Sequence, residues 1–254
     1  MTFERVDIGP DVTLYRGDNA EILPTLDSDS VGIVLTSPPY NVGLGYEGFD
    51  DDVKDATYWS QTEAWTRELY RIGADGCRMY AVLGQNLIWR FRPVAEAGGW
   101  KWVQRLVWCK NNLCGTTLKI SGEWNRLSED ILVFRKGKRT PMLNDVVGYN
   151  TFDWFVFPTP QSNFNGQNER VHVAQWPIEL PELIIGRTPG VLVLDPFMGS
   201  GVGGVAAVRL GRKYIGIDIS PDSFEIARKR IEDAVTGGPL FRSKPAPDLF
   251  GGGA

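Results

Sequence analysis

One histidine and three cysteines are the only imidazole and thiol groups in this 254-residue chain. His172, Cys77, Cys109 and Cys114 show no metal-ligand spacing, since Cys109 and Cys114 stand five positions apart with no second pair. The same scarcity argues against a disulfide framework, so the thiols are expected to be reduced, as in a cytosol. Long apolar runs are missing too. None approaches the roughly 18 residues of a membrane span. The opening stretch, MTFERVDIGPD, is acidic and polar, unlike a signal or transit peptide. These absences point to a cytoplasmic protein with no metal and no membrane contact. Net positive charge is lacking as well: the chain carries −4. Total charge therefore gives no indication of a polyanionic partner.

The distribution of charge reads differently. Residues 101–139 hold nine Lys/Arg against three acids, which leaves the rest of the chain strongly acidic. A basic segment on an acidic body is the footprint of a localised polyanion site. A solvated basic face would look the same in sequence.

Branched aliphatic runs read as strands: VTLYRGD (12–18), VGIVLTS (31–37), CRMYAVLG (77–84), KWVQRLVWCK (101–110), EDILVFRKG (129–137), VLVLDPF (191–197) and YIGIDIS (214–220). Helical periodicity marks 58–73, where Trp65, Leu69 and Ile72 share a face and Gly73 ends the run. Further helices are expected over 86–98, 177–188, 202–211 and 221–235. The stretch 140–168 reads as irregular, polar and aromatic, and the Gly/Pro-rich tail from 236 as disordered. Unbroken aliphatic strands alternating with amphipathic helices predict an α/β fold with a doubly wound, mostly parallel sheet. Such sheets bind ligands outside the carboxyl ends of their strands. The stretches 37–40 (SPPY) and 195–199 (DPFMG) both sit at such ends, about 160 residues apart in sequence.

Gly199, Gly201 and Gly204 form a G-x-G-x-x-G between a strand and a helix, and Asp218 ends the next strand. A carboxylate there suits a ribose diol, because it accepts from both hydroxyls. A dinucleotide fits poorly. The chain after Asp218 is too short for the remaining strands, so these must come from the N-terminal half in permuted order. The bulky Pro196-Phe197 before the first glycine is also unlike a pyrophosphate turn. A nucleoside ligand without phosphates fits better, while a glycine turn used only for packing is the bland alternative.

These residues, TSPPY, then a basic stretch, then DPFMGSG and IGID, resemble the permuted β class of amino-group DNA methyltransferases, which use S-adenosylmethionine. The resemblance covers roughly 12–235. It implies a Rossmann-like methyltransferase fold. By this resemblance Ser37, Pro38, Pro39 and Tyr40 match the catalytic motif. Asp195, Phe197, Gly199, Ser200 and Gly201 match the loop at the cofactor's methionine end, and Asp218 the ribose acid. YRGDNAEIL sets Asp18 toward the adenine end. HVAQWPIEL resembles the family's His-x-x-Gln-x-Pro segment and places His172 beside the cofactor. Where the family usually has Thr-Thr after Gly-Ser-Gly, this chain has Val202-Gly203, which removes two hydroxyls and leaves the backbone amides. The implied organisation is a catalytic half (1–100), basic strands and a target-recognition region (101–170), a cofactor-binding half (171–235) and the tail (236–254). Lys110, Lys119, Arg126, Arg135, Lys136, Lys138 and Arg139 are the expected DNA contacts. The implied partner is double-stranded DNA in a bacterial or phage-infected cell. A homodimer and a cognate restriction enzyme are candidate partners.

The motif has a chemical logic. An exocyclic base amine is a poor nucleophile because its lone pair is delocalised into the ring. Acceptors fixed around the NH₂, here Ser37 Oγ and the Pro38 carbonyl, draw out its protons, and the prolines lock the carbonyl in place. Tyr40 offers a face to a base flipped from the duplex. In the resembled family, serine at the first position goes more often with cytosine N4 and aspartate with adenine N6. Cytosine N4 is therefore the expected target, with adenine N6 the alternative. RNA or protein-glutamine methyltransferases usually carry Asn at this position. A DNA-binding pseudoenzyme would be expected to lose the tetrapeptide, Asp195 or the glycines. The stretch 41–59 reads equally as a lid or as an ordinary exposed loop.

Overall fold

Strands that are aliphatic on both faces need cover on both faces, and the computed structural model supplies it over residues 3–41, 53–111, 127–143, 152–160 and 176–237. Nine strands form one sheet among the described residues. They are β1 (Glu4–Ile8), β2 (Val12–Arg16), β3 (Val31–Thr36), β4 (Gly73–Leu83), β5 (Lys101–Cys109), β6 (Ser128–Arg135), β7 (Trp154–Val156), β8 (Leu192–Asp195) and β9 (Lys213–Asp218). Their order across the sheet is β1-β2-β9-β8-β3-β4-β6-β5-β7. The run β2-β9-β8-β3-β4 is parallel throughout. β1 is antiparallel to β2, and β6 is antiparallel to both β4 and β5.

Six α-helices among the described residues cover the two faces: α1 (Asn19–Ile22), α2 (Asp55–Ile72), α3 (Ile88–Ala97), α4 (Glu179–Arg187), α5 (Val202–Arg209) and α6 (Pro221–Thr236). Alternate strand residues feed two apolar clusters. Ile33, Leu35, Tyr80 and Val193 pack with Ile184 of α4, Val205 of α5 and Phe224 of α6. Val34, Met79, Ala81 and Leu194 pack with Trp65 and Leu69 of α2 and Phe91 of α3. The period-2 alternation of strands thus sends successive residues to opposite helical layers. From β3 the chain grows outward through β4, and from β8 it grows the other way through β9. The direction of winding reverses between β3 and β8, which creates the crevice expected of a doubly wound sheet.

The fold class is the one expected from the sequence, and so is the permuted order. The segment called the catalytic half and the segment called the cofactor-binding half share this one sheet, with β2 hydrogen-bonded to β9. Some details differ, the short helix α1 among them. β1 was not expected, because ERVDI is an edge strand whose residues are mostly exposed and therefore mixed in polarity. β7 lies within the stretch expected to be irregular; its three residues are too few to show a period. Gly73 is both the C-cap of α2 and the first residue of β4, so no loop separates them. The tail beyond 237 lies outside the described residues, as does most of 41–59.

Candidate active site

The parallel run aligns its carboxyl ends along one edge of the sheet. Reading across it, Asp18 follows β2, Asp218 ends β9, Asp195 ends β8, Ser37 follows β3 and Gly84 follows β4. β3 and β8 are direct neighbours, with Val34 opposite Leu194. The proline corner and the glycine loop therefore leave the ends of adjacent strands, whose axes lie about 5 Å apart.

Asp195 is 3% exposed. Its carboxylate accepts from the Phe197 amide at 3.2 Å. Burial, and then the neighbouring charge of Asp218, push its pKa up to about 8. Asp218 is pushed up to about 6 by burial, against the pull of two backbone amides. Those amides are Ser220, donating to Oδ1 at 2.9 Å, and Gly199, donating to Oδ2 at 2.7 Å. Below the pair lies Tyr214. Its buried hydroxyl has no hydrogen-bond partner among the described residues, and burial keeps it in its neutral form.

The loop between these acids is shaped by glycine. Gly201 has φ +75°, and a Cβ there would meet the Ala227 Cβ at 2.8 Å. The close approach lets α6 pack under the loop, and Arg230 of that helix donates to the Ser200 carbonyl at 2.7 Å. Phe197 stands edge-on against Trp65 of α2, centroids 5.4 Å apart. Asp18 caps α1 through the Ala20 amide at 2.9 Å and is exposed at the same edge. The Gly17 amide donates to the Asp218 carbonyl at 2.9 Å.

The proline corner is held from three sides. The Tyr58 hydroxyl donates to the Pro39 carbonyl at 2.8 Å. Asn86 Nδ2 donates to the Tyr40 carbonyl at 3.4 Å. The Tyr40 hydroxyl donates to Glu129 Oε2 at 3.3 Å. Gly84 admits the ring, since a Cβ there would meet Tyr40 Cδ2 at 3.1 Å. Asn41, at φ +52°, turns the chain away, and its side chain pairs with the Val53 backbone in both directions at 3.0 Å. Pro38 is buried, while Ser37 is partly exposed.

The expected basic face is split by the register of β5 and β6. These antiparallel strands run the full height of the sheet, with Cys109 opposite Ser128 at one end and Lys101 opposite Arg135 at the other. Lys110 lies just past β5 at the carboxyl edge, where its ammonium pairs with Glu129 and sits 5.0 Å over the Trp108 ring. Arg135, Lys136, Lys138 and Arg139 lie at the opposite edge, away from Ser37. Arg135 donates to the Gly137 carbonyl. Lys136 Nζ pairs with Asp29 at 2.7 Å and covers the Tyr70 ring at 4.9 Å. Of the expected DNA contacts among the described residues, Lys110 thus stands at the edge that carries Ser37, and Arg135, Lys136, Lys138 and Arg139 stand at the other. Lys119, Arg126 and His172 fall outside the described residues. Tyr58, Asn86 and Glu129 went unremarked in the sequence because nothing local marks a residue whose role is to hold a distant corner.

The doubly wound sheet thus carries a buried and a partly buried acid around a glycine loop, with a rigid proline corner at the end of the neighbouring strand. The sequence profile of the DNA methylase family, the N6/N4 methyltransferases, matches residues 31–229. The chain belongs to that family. It is 27% identical over 245 residues to the type II methyltransferase M.HpaI of Haemophilus parainfluenzae, covering 89% of this chain and 76% of that protein. It is 26% identical over 258 residues to M.ScaI of Streptomyces caespitosus, covering 87% and 82%. Among solved structures, the PvuII DNA methyltransferase (cytosine-N4-specific) superposes with a TM-score of 0.72 at 19% identity, covering 89% of this chain and 90% of that one. The M1.HpyAVI–SAM complex gives 0.69 at 23% identity, covering 87% and 98%.

Proposed function

We propose that this chain transfers the methyl group of S-adenosylmethionine to the exocyclic N4 amine of cytosine within a specific sequence of double-stranded DNA. The observation that carries the reading is the placement of Ser37 and Pro38 just past β3, the strand beside the one that Asp195 ends. The donor set suits this cofactor. Asp195 offers a buried carboxylate to an ammonium group, and Asp218 keeps lone pairs for a ribose diol after binding two amides. Structures of M1.HpyAVI and TTHA0409 were determined with this same compound.

When bound, the cofactor supplies an electrophilic methyl group on its sulfonium. Ser37 Oγ and the Pro38 carbonyl accept hydrogen bonds from the two amine N–H groups, which localises the nitrogen lone pair for attack. Pro38 and Pro39 fix that carbonyl without reorganisation, and Tyr58 pins the second proline. Tyr40 stacks on the flipped base. Serine rather than a carboxylate at position 37 supports cytosine, because a hydroxyl is the weaker acceptor and the site then relies on a close fit to a pyrimidine. The cytosine-N4 specificity of the PvuII enzyme, which shares the fold, is in keeping with it.

DNA from a methylation-free host expressing the chain tests the reading by nucleoside mass spectrometry. N4-methylcytosine in one sequence context is expected. N6-methyladenine alone would overturn the base assignment, and no methylated amine would overturn the activity.

A further inference from the structure

Glu129 stands where the catalytic corner meets the second residue of β6. One carboxylate oxygen accepts from the Tyr40 hydroxyl at 3.3 Å, and the other pairs with the Lys110 ammonium. Both partners of the ion pair are largely withdrawn from water, their side chains 18% and 19% exposed. Lys110 is fixed in turn by the Trp108 ring beneath it, and its amide donates to the Leu127 carbonyl at 2.7 Å. A charge pair this enclosed is costly to assemble and gains little net stability over apolar side chains. Its geometry has a directional consequence instead. It fixes a carboxylate at one point and aims it at one hydroxyl.

We propose that Glu129, anchored by Lys110, is the positioning residue that sets the Tyr40 ring against the target base. This rests on the reading of Tyr40 as the base platform. The chain Lys110–Glu129–Tyr40 joins the carboxyl end of β5 and the amino end of β6 to the catalytic tetrapeptide. It restrains the ring at its hydroxyl, while Gly84 leaves space for the Cδ2 edge that any side chain would take and Asn86 holds the backbone. A phenol bonded to a carboxylate also has a more electron-rich face. The amine gains positive charge as the methyl arrives, and that face stabilises a cation. Both effects act through the Tyr40 hydroxyl, so removing either partner should remove the same contribution.

The test is a double-mutant cycle on the full chain with its DNA substrate: Tyr40→Phe, Glu129→Ala, both together, and Glu129→Gln. Cofactor affinity and thermal midpoint are measured alongside kcat and KM. Each single change should lower kcat by about ten- to a hundredfold and leave cofactor affinity unchanged. The double variant should be no slower than the slower single one. Glu129→Gln, which keeps an acceptor, should recover part of the loss seen in Glu129→Ala. Multiplicative losses, a silent Tyr40→Phe, or a glutamine no better than alanine would each overturn the proposal. A wild-type chain that methylates no DNA amine would instead overturn the function on which it rests.

Discussion

The Gly199 amide donates to the Asp218 carboxylate across 2.7 Å, so the loop leaving β8 is closed by the residue that ends β9. The other Asp218 oxygen binds the Ser220 amide at the start of α6. One side chain thereby ties the glycine loop to the next strand and the next helix. The loop is held in shape by the protein itself, and a ligand need not spend binding energy on ordering it.

Asp195 and Asp218, with pKa values near 8 and 6, hold protons in the folded chain that an unfolded chain releases near 3.8. Between about pH 4 and 8 the folded state thus binds more protons, and stability falls as pH rises. Below pH 4 both states are protonated and the effect vanishes. Asp195→Asn should flatten this slope and raise the cofactor-free midpoint at pH 8, by roughly 2–4 °C for each kcal/mol relieved. The same variant should lose S-adenosylmethionine binding. Scanning calorimetry and titration calorimetry read the two effects, and a variant less stable than wild type at pH 8 would contradict the assignment of burial as the cause.

Gly201→Ala and Gly211→Ala differ in what surrounds them. Both have positive φ, but a Cβ at Gly201 meets Ala227 at 2.8 Å, whereas at Gly211 nothing lies within 4 Å. Gly211→Ala should cost about 1–2 kcal/mol, the strain of a left-handed alanine. Gly201→Ala should cost more, because α6 must move away, and should also weaken cofactor binding. Urea denaturation orders the pair; equal losses would mean that α6 yields freely.

Ser37→Ala removes one oriented acceptor and leaves the backbone of the corner intact. The expected loss is about 10²–10³ in kcat, with cofactor affinity unchanged. Single-turnover methylation and calorimetry separate these. Parallel losses in both would show that Ser37 supports the cofactor pocket rather than the amine.

Lys136→Ala should leave the salt dependence of DNA binding unaltered, because that ammonium is paired with Asp29 at the edge away from Ser37. Lys119→Ala or Arg126→Ala should lower the slope of log K against log salt by about 1 each, if each neutralises one phosphate. Both belong to the connection between β5 and β6, whose ends lie at the carboxyl edge. A Lys136 effect as large as theirs would place DNA across the other edge.

Seven of the nine strands, the five longer helices, the glycine loop and the proline corner were legible in the sequence because each is written locally. Aliphatic runs, helical spacing and turn residues report the conformation of the few residues that carry them. So is the family, which rests on motifs a few residues long. The tertiary structure decided what those segments meet. It set β3 beside β8 and so brought Ser37 near Asp195. It put Glu129 behind Tyr40, 89 positions away in the chain, and it turned Lys136 to the far edge through the register of an antiparallel pair. Pairing order and register are settled by which faces can be buried together across the whole sheet, and no short stretch of chain contains that information.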